Sequence, residues 1–288
     1  MTTSTDTQHY FVPDTTIWPF LASIGLTSLV WGFIQILNGN SGKFMMIAGA
    51  MVLFFTFFRW FGEVVHESES NAYSGWEDKS FRLGMSWFIF SEVMFFAAFF
   101  GVLFYARVLS VPWLGGAGEE YDTHKWLWDT YQATWPTNGP GNVGGEFGLV
   151  AWSGLPLVNT LLLLSSGVTV TWAHHALKHN NRQHLIWGLA ATVALGTIFL
   201  ICQGVEYAHA YDINLTLGSG IYGSTFFMLT GFHGMHVLLG TIMLFVVLLR
   251  SMRGHFTAKN HFAFEAAAWY WHFVDVVWLG LFIFVYIV

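Results

Sequence analysis

Seven apolar runs divide this chain, at about 16–37, 44–66, 81–109, 149–176, 184–208, 219–250 and 261–287. Each is long enough, at about 1.5 Å rise per residue, to cross a hydrocarbon layer about 30 Å thick as a helix. The third and sixth run long, which predicts tilt or extension beyond that layer. Polar stretches separate them: a tail over 1–15, a linker over 67–80 (ESESNAYSGWEDKS), and one long loop over 110–148. The pattern predicts an all-α polytopic membrane protein of seven transmembrane helices. Two helices (16–66) precede the linker and five (81–288) follow it, a 2 + 5 arrangement.

The last run carries Glu265, His272 and Asp275 among Trp, Phe, Val and Leu. A charged group at mid-helix in lipid costs about 2.5–3.5 kcal/mol on insertion scales, so such groups face protein or water. At about 100° per residue Glu265 and His272 nearly eclipse, and Asp275 lies roughly 80° away. The three form a polar stripe, which predicts the face on which this helix packs.

Composition agrees with a membrane protein: 55% of residues are hydrophobic and only 10% charged, against about 25% charged in soluble domains. The net charge of −6 offers no basic patch for nucleic acid. Cys202 is the only cysteine, which excludes an internal disulfide, a thiolate metal cluster and a CxxCH haem attachment. The first fifteen residues lack Lys and Arg and resemble neither a secretory signal nor a transit peptide, so insertion is expected to begin with the first spanning helix. The basic residues set an orientation. Eight (Arg59, Lys79, Arg82, Lys178, Arg182, Arg250, Arg253, Lys259) fall on one side and three (Lys43, Arg107, Lys125) on the other. The positive-inside rule then places the N-terminus inside and the C-terminus outside.

The loop over 110–148 is extracytoplasmic in that orientation. It holds Glu119, Glu120, Asp122, Asp129 and Glu146 beside TNGPGNVGG. It reads first as a solvated connector and second as a surface for a cationic partner.

Thirteen histidines raise the question of a metal. His174, His175, His179 and His184 cluster near the end of the fourth run, and His233 and His236 lie in the sixth. With Glu92, Glu265, His272 and Asp275 they supply enough N and O donors for a di-iron or copper site, as in a stand-alone membrane di-iron oxygenase. The spacing argues otherwise. HHALKHNNRQH sits where a helix ends in a basic loop, a favourable place for histidine. His233 and His236 form neither an HxxxH nor an HExxH pair. A buried histidine in a membrane more often hydrogen-bonds a neighbouring helix. We therefore expect no metal centre and no catalytic residue, and assign Glu92, His233, His236, Glu265, His272 and Asp275 to buried helix contacts. Glu92, central in WFIFSEVMFFAAFFG, reads equally as a proton relay or as a protonated carboxyl joining two helices. Gly220, Gly223, Gly231, Gly234 and Gly240 predict close packing of the sixth helix. Arg250, Arg253 and His255 read as ordinary headgroup-zone residues or as a site for an anionic phospholipid.

Three long motifs, GVTVTWAHHAL (167–177), YGSTFFMLTGFHGMHV (222–237) and HFAFEAAAWYWHFVDVVWL (261–279), closely resemble those of subunit III of haem–copper cytochrome c oxidase. SEVMFF around Glu92 and the pair Glu67–Ser68 fit as well. The resemblance covers nearly the whole chain, and seven spans favour the cytochrome c type over the shorter five-helix relatives. It implies a V of helices 1–2 against 3–7 with phospholipid in the cleft, and no haem or copper in this chain. Those cofactors would reside in partner subunits I and II of a proton-pumping complex that reduces oxygen to water with electrons from cytochrome c. By position, Arg250, Trp60 and Phe88 would hold lipid and Glu92 would be the buried carboxyl. The subunit would stabilise the catalytic subunit and sustain its proton uptake. Where many relatives read WWRDVIRES this chain reads WFGEVVHES, so Phe61, Gly62 and His66 replace Trp, Arg and Arg. The headgroup site there is either weakened or served by Arg59 and His66. The long outer loop favours a bacterial plasma membrane over the mitochondrial inner membrane.

Overall fold

A computed structural model describes residues 15–70, 72–73, 75–118 and 121–287. Among them every regular element is helical. The helices are α1 (Trp18–Leu37), α2 (Lys43–Glu69), α3 (Gly75–Phe104), α4 (Val111–Leu114), α5 (Tyr121–Leu127), α6 (Leu155–Lys178), α7 (Arg182–Asp212), α8 (Gly220–Arg253) and α9 (Phe262–Leu281). A π-helical turn, Tyr105–Ser110, joins α3 to α4, and a second, Phe282–Ile287, extends α9. Seven of the helical spans are long and apolar enough to cross a membrane. They match the seven apolar runs. The third is the longest, 40 residues from Gly75 to Leu114, or about 60 Å of helix, so it continues past the hydrocarbon.

Two features differ from the sequence expectation. The stretch 67–80 is mostly helix, because α2 runs to Glu69 and α3 starts at Gly75; its polar residues occupy helix ends beyond the apolar windows. Nor is the loop over 110–148 a plain connector. Beyond α5 it folds onto the start of α8: Phe147 stacks on Tyr222 with ring centres 5.7 Å apart, Tyr222 N–H reaches the Thr137 carbonyl, and Asn138 donates to the Gly145 carbonyl at 2.8 Å. Asp129 and Glu146 belong to this folded segment and Asp122 to α5, whereas Glu119, Glu120 and most of the tail over 1–15 lie outside the described residues.

Contacts divide the chain into one unit up to Leu83 and another from Gly84. In the first, α1 and α2 pair through glycine. A Cβ on Gly32 would stand 2.4 Å from the Met46 nitrogen, and one on Gly49 would stand 2.4 Å from the Leu29 nitrogen. Backbone meets backbone there, so no larger residue fits. Trp18 Nε1–H donates to Glu63 across the pair, and Tyr73 donates to Glu67 at 2.6 Å. Burial, reinforced by the Glu67 carboxylate, raises the Tyr73 phenol above its ordinary range and keeps it a donor.

The second unit is built around α9, the most enclosed of the seven spans. It packs on α6 and α8, while α7 packs on α6 and α8. Trp271 of α9 is fully buried. Its ring fills seats left by two glycines: a Cβ on Gly196 of α7 would lie 2.6 Å from Trp271 Cη2, and one on Gly240 of α8 would lie 2.8 Å from Cε3. Its Nε1–H donates to Ser166 Oγ of α6 at 2.8 Å. One indole thus touches three neighbouring helices. The α8 glycines are not alike, for a Cβ on Gly234 would meet nothing within 4 Å.

At one end of this unit Arg182 donates to the Ser251 and Met252 carbonyls at 2.8 and 3.1 Å, satisfying orphan acceptors at the end of α8. Gly254, at φ +84°, turns the chain there.

Alanine at Gly240 or Gly196 should lower stability by about 1–3 kcal/mol, because a rigid ring and not a flexible side chain must move. Alanine at Gly234 should leave it within about 0.5 kcal/mol. Thermal unfolding of the three variants in one detergent measures the contrast.

Candidate functional site

The polar groups of the second unit sit at helix contacts, and each can be assigned by asking where its hydrogen bonds go. Glu92 projects from the middle of α3 to His236 of α8, with Oε2 2.9 Å from Nε2. The other ring nitrogen, Nδ1, lies 2.7 Å from the Phe232 carbonyl one turn earlier. A carbonyl only accepts, so Nδ1 carries a proton. Nε2 and the carboxyl then share one further proton, which can rest on either. The aromatic rings of Phe95, Phe96, Tyr270 and Phe273 surround the imidazole and bury it, whereas the Glu92 side chain is only partly buried.

His233, one turn before His236 on α8, takes a different partner. It is 1% exposed, and Nε2 lies 3.2 Å from the Val274 carbonyl of α9. Phe199 and Trp278 pack on its ring, and Trp278 Nε1–H donates to Thr160 of α6 at 2.9 Å. His233 and His236 therefore bind to different helices and do not converge on one point.

The polar stripe of α9 is split in two. Glu265 and Asp275 are buried, but the His272 side chain is 46% exposed. This corrects its assignment as a buried contact. His272 stands at the rim between α6 and α9, with Nε2 3.3 Å from Thr171 Oγ1 and Nδ1 3.7 Å from Asp275. Glu265 lies at the start of α9 beside His174 and His261. Of the histidines near the end of α6, His174 alone turns to α9. His179 Nδ1 meets the His175 carbonyl at 2.9 Å, and the two rings stack at 4.2 Å. His184 sits by Asn181, whose side chain caps α7.

Glu206, 1% exposed near the end of α7, was not singled out in the sequence. Tyr286 Oη–H donates to its Oε1 at 2.5 Å and Gln203 donates at 3.1 Å. The signal available was GVEYAHAYD, a carboxylate at the end of an apolar run, which reads as a boundary residue when the partner lies 80 positions away.

The residues assigned to lipid fall in both units. Arg59, Trp60, Phe61 and His66 are on α2, with Phe61 67% exposed. Phe88 is on α3, half-exposed, and stacks on Tyr270. Arg250 is on α8, with its guanidinium 4.6 Å over the Phe256 ring.

Comparison with known proteins accords with the motifs. The family model for cytochrome c oxidase subunit III matches residues 8–121 and 127–288. Proteins named cytochrome c oxidase subunit 3 resemble the chain over nearly its full length. Those of Halichoerus grypus and Dasypus novemcinctus are 38% identical over 281 residues, 97% of each chain. That of Marchantia polymorpha is 41% identical over 289 residues, 98% of each. These relatives come from mammals and a plant, so they give no support to the bacterial membrane expected from the long loop.

Replacing Glu92 by Ala should cost about 1–3 kcal/mol by stranding the buried His236 Nε2. Glu92→Gln should cost less, because an amide N–H can donate to the same nitrogen. Thermal unfolding of both variants measures the difference.

Proposed function

This chain belongs to the cytochrome c oxidase subunit III family, and we propose that it serves the oxidase as a lipid-binding subunit without a redox centre. The complex it belongs to is an oxidoreductase, so other oxidase subunits are its partners. In the proposed role it flanks catalytic subunit I and subunit II, which hold the haem and copper, while cytochrome c delivers electrons to the complex and not to this chain. It stabilises the catalytic subunit and sustains its proton uptake, with the N-terminus inside.

The observation that carries the non-redox reading is the disposition of His236. Both of its ring nitrogens are engaged, one by a backbone carbonyl and one by Glu92. His233 is turned to a different helix. A di-iron oxygenase needs histidines and carboxylates converging on two ions, and Glu92, His233 and His236 of α3 and α8 are instead committed to separate helix contacts. For phospholipid, support comes from the exposed α2 residues Arg59, Phe61 and His66, and from Arg250 near the end of α8, where a cation meets headgroup phosphate.

Purification in mild detergent tests the role. Haem absorbance and copper should co-purify with the chain, and the chain separated from its partners should carry neither. Stoichiometric iron in the separated chain would overturn the reading. Arg250→Ala should lower the phospholipid retained per complex, measured as organic phosphate after extraction; unchanged phosphate would remove Arg250 from the lipid site.

A further inference from the structure

His174 of α6, His261 just before α9 and Glu265 in its first turn form a cluster at one end of the second unit that the proposed role does not use. Glu265 Oε1 lies 3.4 Å from His174 Nε2 and 3.2 Å from His261 Nε2. One ligand atom from each residue lies within 4.8 Å of the other two. Neither imidazole Nε2 has a hydrogen-bond partner, although both are shielded from solvent.

The tautomer of His261 makes this arrangement informative. Its Nδ1 is 3.0 Å from the Thr257 carbonyl, to which it must donate. In the neutral ring Nε2 is then a bare lone pair, and it faces a carboxylate oxygen in a residue only 8% exposed. Two electron-rich atoms held at 3.2 Å require a shared proton, as in the His236–Glu92 pair, or a metal ion between them. A ring N–H held by a backbone carbonyl, with the other nitrogen directed at a carboxylate, is also the usual outer support of a metal-bound histidine.

We propose that His174 Nε2, His261 Nε2 and Glu265 Oε1 bind one divalent transition-metal ion, with zinc the best match. Zinc takes imidazole nitrogen and carboxylate oxygen at about 2.0–2.2 Å in a tetrahedron, which sets neighbouring ligand atoms about 3.3–3.5 Å apart. The two separations to Glu265 already fall at about that value, so closing the site requires mainly a small approach of the two rings. The fourth position is open to water, because the His174 side chain remains 23% exposed. The set of two histidines and one carboxylate holds one ion, not two, and zinc has no redox chemistry. The site is therefore compatible with a subunit that transfers no electrons. It departs from the expectation, drawn from spacing alone, of no metal in this chain: His174 lies 87 positions before His261, and α6 must pack on α9 to bring them together.

The test uses the full chain in detergent micelles, purified without a polyhistidine tag and stripped by chelator. Zn2+ is titrated against a chromophoric competitor, and Co2+ is added separately as an optical probe. Wild type and the His179→Gln control should bind one tight equivalent and give the intense visible band of tetrahedral Co2+. His261→Gln and Glu265→Gln should each weaken Zn2+ binding by at least about tenfold, since losing an outer-shell partner alone costs that much. Equal affinity in wild type and both ligand variants would overturn the proposal and leave a proton as the cation in the cluster. So would a Co2+ spectrum in wild type no stronger than that of the hydrated ion, a result that does not depend on how any variant folds.

Discussion

The second unit depends on the fit of one indole into two vacancies. Trp271 lies where Gly196 of α7 and Gly240 of α8 present no side chain, and its N–H is satisfied by Ser166 of α6. In a bilayer, water does not drive helices together, because lipid is as apolar as leucine. Helix association rests on close packing and on hydrogen bonds with few competitors. A large flat side chain seated on glycine provides the packing, and a hydroxyl–indole bond fixes its rotation. Trp278 repeats the device two turns along α9, bonding Thr160 and packing on Phe199 and His233. With α9 fixed at these points, Val274 is brought to His233, Asp275 to the surface of Gly167, and Glu265 to His174.

The buried titratable groups follow from that frame. A membrane interior penalises a polar atom with nowhere to bond. Glu92, Glu206 and His233 each pair one side-chain atom with a group fixed on another helix or on the end of α9, while Glu206 Oε2 and His233 Nδ1 stay buried without a partner. The solutions differ in proton count. His236 and Glu92 share a single proton between two heavy atoms, whereas Tyr286 gives its own proton to Glu206. These are local arrangements, and no continuous chain of bonded groups links them among the described residues.

Much of this was legible in the sequence because the bilayer imposes a strong rule. Seven apolar runs became seven spans, with ends shifted by up to six residues: polar residues start the third helix early, at Gly75, whereas the fourth starts late, at Leu155, because 149–154 is not helical. That Glu92, His233, His236 and Asp275 lie within long apolar helices was likewise readable, since hydropathy alone locates those helices. Their partners were not. The His236–Glu92 bond spans 144 positions and the Tyr286–Glu206 bond spans 80, and no periodicity encodes such distances. His272 was misjudged for a related reason. Helical phase puts it near the Glu265 face, but the exposure of that face depends on how far α6 extends over it. Glycine is ambiguous in both directions: Gly234 of the glycine-rich α8 faces open space, while Gly32 and Gly49, isolated in their runs, bring two backbones together.

The α1–α2 pair has a consequence for how the protein is made. Its contact is a seam of glycine and backbone, and it leaves large side chains such as Phe44, Phe54 and Phe58 turned outward, 73–87% exposed. A seam of this kind draws nothing from residues synthesised later. Once the second span has left the ribosome, the pair has all it needs to close, while the Trp271 seat must wait for the last helix. The polypeptide thus enters its membrane with one hairpin complete early and one bundle that can settle only after translation ends.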